Sequence, residues 1–175
     1  MLNVNKKGKE GYALEDISLK VPAGSSLGII GQTGSGKTTL VHLLARLYDP
    51  TKGTVLVDDH NLVEIEEKSL RRDIGVSLQD KVLLEGTIRS NVLIGKPDAT
   101  DEEVLEATQD AQAWEFVKNR EGQLDSVVEK RGNNLSGGQK QRVSIARSLI
   151  KKPKILIFDD STSALDTITE GKIVD

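Results

Sequence analysis

Apolar positions change their period several times along this chain, and each change marks an expected element. Between Ala13 and Val21 apolar and polar residues alternate before Pro22-Ala23-Gly24, the pattern of a half-buried strand followed by a turn. Ser26-Leu27-Gly28-Ile29-Ile30 is a short, largely apolar run suited to a buried parallel strand. Leu40, Leu43, Leu44 and Leu47 then recur at helical spacing. Tyr48-Asp49-Pro50-Thr51-Lys52-Gly53 breaks that helix, and Thr54 to Val57 with Asp58-Asp59 predicts a strand and tight turn. Together with the first strand this suggests an antiparallel sheet beside the main core. Ile74 to Leu78 predicts another strand, and Gln79 stands at its carboxyl end, where open α/β sheets place ligands.

From Asp80 onward the texture becomes helical. Thr87 to Asn91 predicts a short helix, Lys96 to Ala99 a loop, and Thr100-Asp101-Glu102-Glu103 a capping box. The helix it opens has Val104, Leu105, Thr108 and Ala111 on its apolar face, with Trp114, Phe116 and Val117 closing that core. A second helix is expected from about Ser136 to Ile150, with Val143, Ala146, Leu149 and Ile150 inward. Ile155 to Phe158 predicts a buried strand that ends in Asp159-Asp160, followed by a loop over 161–166 and a last helix. The expected division is therefore an α/β core over residues 1–79 and 146–175, with a helical insertion over 80–145. No internal repeat or low-complexity segment stands out.

Between the predicted strand at Ser26 to Ile30 and the helix at Leu40 lies Gly31-Gln32-Thr33-Gly34-Ser35-Gly36-Lys37-Thr38, followed by Thr39. It fits the phosphate-loop pattern with strand and helix on either side. Glycines let backbone N–H groups turn inward as an anion nest, and the helix N-terminus adds partial positive charge. Lys37 is expected on the β- and γ-phosphates, and the Thr38 hydroxyl on Mg²⁺. A phosphate loop needs a carboxylate at the end of a neighbouring strand, and Asp159 supplies it. Asp160 reads equally as a general base for the attacking water or as a loop cap. Leu135-Ser136-Gly137-Gly138-Gln139 opens a second helix and so offers a second anion site. One ATP cannot fill both within a chain, which points to two chains packed head to tail. Helix capping by Ser136 explains the serine and leaves Gly137-Gly138-Gln139 without a reason.

Composition narrows the classes. At 175 residues, 37% hydrophobic and 29% charged, the chain can bury a real core. A net charge of −3 argues against a nucleic-acid partner. With no cysteine, disulfides and thiolate metal sites are excluded. No run of about eighteen apolar residues and no signal-peptide core occurs, so direct membrane insertion is not expected.

Gly31 to Thr38, Gln79, Leu135 to Gln139, Ile155 to Asp160 and Ser163-Ala164-Leu165-Asp166 together resemble the ordered motif set of an ABC transporter nucleotide-binding domain. Gly86-Thr87-Ile88-Arg89-Ser90-Asn91 and Glu129-Lys130-Arg131-Gly132 resemble the exporter type. The resemblance implies a P-loop NTPase (RecA-like) α/β core with an antiparallel β subdomain and an α-helical insertion. It implies ATP and Mg²⁺ as ligands, and ATP hydrolysis with Lys37, Gln79 and Asp160 in catalysis. Thr38, Gln79 and Asp159 would hold the metal. Ser136, Gly137, Gly138 and Gln139 would serve the partner's nucleotide, and Asp166 the dimer seam. The implied partners are a second nucleotide-binding domain, identical or not, and a transmembrane domain that keeps this one at the cytoplasmic face of a membrane.

Three features depart from the family pattern. Asp160 stands where most members carry Glu, which draws the carboxylate back by roughly 1.5 Å and resembles the degenerate half of asymmetric exporters. The switch histidine belongs to a strand beyond Asp175; His42, in the phosphate-loop helix, and His60, in a hairpin turn, cannot replace it. The adenine-stacking aromatic falls near Asn5, with Tyr12 offset. These end features predict a fragment or a trimmed product. The rival to an ATPase is accordingly an ATP-gated dimerisation module with little or no turnover. A third class, soluble ABC proteins of DNA repair or translation, is disfavoured by the exporter-like segments.

Overall fold

The computed structural model describes residues 2–8, 11–77 and 82–159, with side chains from residue 11 onward. Its compact units are Met1–Arg71 and Arg72–Asp175.

In the first unit four strands form an antiparallel sheet in the order β2-β1-β3-β4, from β1 (Leu2–Gly8), β2 (Gly11–Leu19), β3 (Lys52–Val57) and β4 (His60–Asn61). The sequence pattern anticipated β2 and β3. It missed β1, whose lysine-rich composition hides a strand that pairs on both edges, Leu2 opposite Leu19 and Leu2 opposite Val55. Asp58 and Asp59 make the tight turn between β3 and β4 with φ of 47° and 64°, a left-handed pair that aspartate tolerates better than most residues. His60 sits across that turn from Val57, the hairpin position expected for it.

The phosphate-loop helix is α1 (Lys37–Leu44), which buries Leu40, Val41 and Leu43. It stops earlier than the leucine spacing predicts. Arg46 takes φ 51°, which breaks the helical path, and Leu47 is left exposed. Arg46 then donates to Ile65 O at 2.7 Å and Val63 O at 3.1 Å, latching the helix exit to the turn after β4. His42 meets the Tyr48 ring edge-on at 5.3 Å, the packing role of an ordinary helix histidine.

The run Ser26 to Ile30 is not a strand: its backbone is irregular, and Ile30 is fully exposed. A buried strand requires ladder partners on its edges as well as apolar side chains. The sheet of this unit is built from β1 to β4 and gives the run none.

The short helix α2 (Glu67–Asp73) leads into the parallel pair of the second unit, β5 (Ile74–Ser77) and β8 (Ile155–Phe158), in register from Ile74 opposite Ile155 to Ser77 opposite Phe158. Between them come β6 (Gly86–Thr87), α3 (Ile88–Leu93), α4 (Asp101–Asp110), α5 (Trp114–Val117), β7 (Val127–Val128) and α6 (Gly137–Leu149). Thr87 and Thr100 each cap the following helix with a reciprocal capping box, which satisfies backbone donors that would otherwise lack partners. The core joins Ile88, Val92, Val104, Ala111, Val117, Val143, Ile145 and Ala146, all at 0% exposure, with Trp114, Phe116 and Leu149 packed against it.

Two details differ from expectation. On α4 the inward positions are Val104, Ala107, Thr108 and Ala111, while Leu105 is only half-buried, because the spacing i, i+3, i+4, i+7 starts at Val104. In β8 only Ile157 is buried, and Leu156 is 41% exposed. Successive side chains of β8 point to opposite faces of its ladder with β5, which puts Leu156 on the side away from Ile157.

Candidate functional site

The phosphate loop is shaped by glycines whose conformations other residues resist. Gly34 and Gly36 have φ of 83° and 95°. A Cβ at Gly36 would approach Ala13 O at 2.7 Å and Leu14 Cδ2 at 2.8 Å, so β2 passes too close for any side chain there. Gly36 is also the N-cap of α1, and no side chain caps this end. The first N–H groups of an α-helix have no intrahelical acceptor; here those of Lys37, Thr38 and Thr39 keep their partial positive charge available. Ser35 N–H donates to Gln32 O at 3.1 Å, closing the turn.

Lys37 bends back over this loop. Its Nζ donates to Gly31 O at 2.8 Å and Gln32 O at 3.0 Å. One ammonium and a helix end thus converge on Gly31 to Thr38. Gly31, Gln32, Thr33, Gly34, Ser35 and Thr38 are exposed, and Gly36, Lys37 and Thr39 are half-buried. That arrangement is chemically an anion receptor.

In the second unit Asp159 follows β8 and is buried at 6% exposure, with its N–H donating to Ser77 O at 3.0 Å. The carboxylate is therefore seated at the carboxyl end of the parallel pair, as the sequence pattern predicts. Among the described residues no group of three or more His, Cys, Asp or Glu could hold a metal ion. A Mg²⁺ bound through one carboxylate, a hydroxyl and substrate phosphates requires no such cluster. Gln79, Asp160 and Asp166 lie outside the described residues.

Ser136 and the residues after it open α6. Ser136 Oγ accepts from Gln139 N–H at 3.2 Å, and Gln139 Oε1 accepts from Ser136 N–H at 3.0 Å. Gln139 thus has a local structural reason that the sequence reading left unexplained. The signal was available, since Ser-x-x-Gln is itself a capping-box pattern. The glycines are not explained this way. A Cβ on Gly137 would meet nothing within 4 Å among the described residues, and Ser136 and Gly137 are exposed while Leu135 beneath them is buried. Packing among the described residues does not demand glycine at 137.

No helix among the described residues is long and apolar enough to cross a membrane.

Comparison with known proteins agrees with this geometry. A family model described as "ABC transporter" matches residues 14–163. The chain is 48% identical over 158 residues to a β-(1→2)glucan export ATP-binding/permease protein, NdvA, of Bartonella bacilliformis, covering 90% of this chain and 27% of that protein. A solved bacterial Atm1-family ABC exporter with ATP bound superposes with a TM-score of 0.92 at 41% identity, covering 98% of this chain and 30% of that one. The chain thus spans less than a third of the length of either protein. With its phosphate loop, its buried strand-end aspartate and a family match across nearly all of its length, the chain belongs to the ABC transporter family and has the P-loop NTPase fold of the family's nucleotide-binding domain.

Proposed function

We propose that this chain binds MgATP and, paired head to tail with a second nucleotide-binding domain, drives an exporter-type transporter by ATP hydrolysis. The observation that carries this reading is the uncapped N-terminus of α1 with Lys37 folded onto the loop before it. On binding, Lys37 exchanges its two carbonyl acceptors for β- and γ-phosphate oxygens, a shift within its own reach. Bound Mg²⁺ would neutralise developing phosphate charge, held by Thr38, Asp159 and Gln79. Gly34 and Gly36 keep the backbone donors turned toward the phosphates.

The open space over Gly137 supports a role for Ser136 to Gln139 outside the chain. A backbone that must come close to a ligand excludes a side chain, and in this reading the ligand is the partner's triphosphate. Asp166 would line the same seam. The core over 1–79 and 146–175 and the helical insertion over 80–145 remain the functional division we propose. Names of the similar proteins favour an export role, in which a transmembrane partner domain holds this one at the cytoplasmic face.

Titration with labelled ATP and Mg²⁺ tests the reading. The parent chain saturates, whereas Lys37→Ala binds roughly 10²-fold more weakly, the equivalent of about 3 kcal/mol from charge-assisted hydrogen bonds. A folded parent that stays empty beside a competent partner overturns it.

Asp160 favours a second reading, an ATP-gated module with slow turnover. Its carboxylate is one methylene shorter than that of Glu, and a displaced base costs about 10²-fold in rate. A gain of that order in Asp160→Glu supports this alternative, and brisk hydrolysis by the parent removes it.

A further inference from the structure

Helix α6 turns several polar side chains inward, and the chain answers them with hydrogen bonds. Arg147 Nε donates to Asn91 O at 2.9 Å, one of its terminal nitrogens to Val82 O at 3.2 Å, and Ser148 Oγ to Val76 O at 2.9 Å. Gln141 differs. It is 1% exposed, and among the described residues neither its amide nitrogen nor its amide oxygen has a hydrogen-bond partner. An unpaired buried amide is costly, and an apolar side chain of similar length fills the same space without that cost. Packing alone therefore gives no reason for an amide at 141.

The register of α6 against β5 fixes the level at which this amide lies. Lys151, just past the helix, donates to Ile74 O at 3.3 Å, whereas Ser148, in its last turn, reaches Val76 further along the strand. The helix thus runs antiparallel to β5, and each turn toward its N-terminus advances toward the carboxyl end of the strand. Gln141 lies close to two turns before Ser148, so the two share one face of α6. That advance of about 10.5 Å equals the rise of about three strand residues. Gln141 is therefore level with the end of β5, where Ser77 closes the strand. Asp159 stands at this end too, 6% exposed, with its N–H on Ser77 O.

We infer that Gln141 is a positioning residue for the metal held at Asp159, its amide taking up the water shell of Mg²⁺ at the carboxyl end of the parallel pair. The inference rests on the proposed MgATP reading, in which Asp159 is the metal's carboxylate. Mg²⁺ keeps several waters when a protein binds it, and those waters need acceptors. A neutral amide supplies an acceptor for them and donors for the carboxylate, without adding charge. Open α/β sheets receive their ligands at this end of the strands.

The test uses the full chain with its partner domain and compares the parent with Gln141→Met, which keeps the length and removes both polar atoms. Three quantities are read: the melting temperature in excess chelator, ATP affinity in excess chelator, and the Mg²⁺ concentration for half-maximal retention of labelled ATP. The variant is expected to need roughly 10-fold more Mg²⁺, the usual order for losing a partner around a metal ligand. Its metal-free ATP affinity stays at the parent's value. Its metal-free melting temperature is no lower than the parent's, because no hydrogen bond within the chain is lost. An unchanged Mg²⁺ requirement, an equal shift of both ATP readouts, or a fall in the metal-free melting temperature overturns the inference. If Gln141→Met does not fold, Gln141→Leu takes its place with the same readouts, and failure of both assigns the amide to folding and likewise overturns it. A parent that never binds MgATP refutes the proposed function instead, a result distinct from MgATP binding whose metal dependence ignores Gln141.

Discussion

The two units present their glycine-rich motifs on different foundations. In the first, Gly36 sits against β2 so closely that its lack of a side chain is a condition of the fold. In the second, Gly137 faces open space at the end of a capped helix whose inward face is fully buried. The difference separates two reasons for glycine. One glycine is required by the chain itself, and the other is free of any such demand, which is compatible with the external ligand proposed for it.

The comparison breaks most readily at the core beneath the second motif. Ile145→Ala removes a side chain of 0% exposure and is expected to destabilise the chain by about 2–5 kcal/mol, read by denaturant unfolding. A cost below about 1 kcal/mol means that α6 does not rest on a close-packed core. Gly36→Ala comes next. It forces a left-handed φ on a side chain that also collides with Ala13 O, and the φ alone costs about 1–2 kcal/mol. Circular dichroism melts and ATP affinity are both expected to fall.

Gly137→Ala sharpens the contrast, because folding and function are expected to move in opposite directions. Alanine in the first turn of α6 meets no atom within 4 Å and raises stability by up to about 1 kcal/mol, whereas ATP-dependent pairing of two domains weakens. A matching loss of stability would show that this glycine also serves the fold.

The smallest effect concerns pH and the surface of the second unit. Arg89 Nε donates to Asp125 Oδ1 at 2.7 Å and pairs with Asp101 as well. The hydrogen bond from Arg89 holds the Asp125 carboxyl below its ordinary value of 3.8. A depressed folded-state pKa adds stability that is complete above the unfolded value and disappears as pH falls through the folded one. The melting temperature is therefore expected to drop below about pH 4, and Arg89→Met flattens this acid limb slightly. Identical acid limbs in the two proteins exclude the pair as a contributor.

Local chemistry was legible in the sequence wherever neighbours in the chain decide the outcome. The Thr100 capping box, the N-cap at Ser136, the hairpin turn at Asp58-Asp59 and the inward face of α6 all follow from spacings of two to four residues. Legibility failed where a distant partner decides. Ser26 to Ile30 has a strand's composition and no ladder, whereas Leu2 to Gly8 has a poor composition and pairs on two edges. Leu105 and Leu156 were misplaced because composition names apolar residues without saying which face is covered.

The order of motifs from Gly31 to Asp159 was enough by itself to determine the family and the anion-binding loop, because a phosphate cradle is made from consecutive backbone groups. Only the tertiary structure brought Arg147 to Val82 across 65 positions of sequence and left open space, among the described residues, where a Cβ of Gly137 would stand. Both depend on which surfaces meet after the helices pack, and no local spacing encodes that meeting.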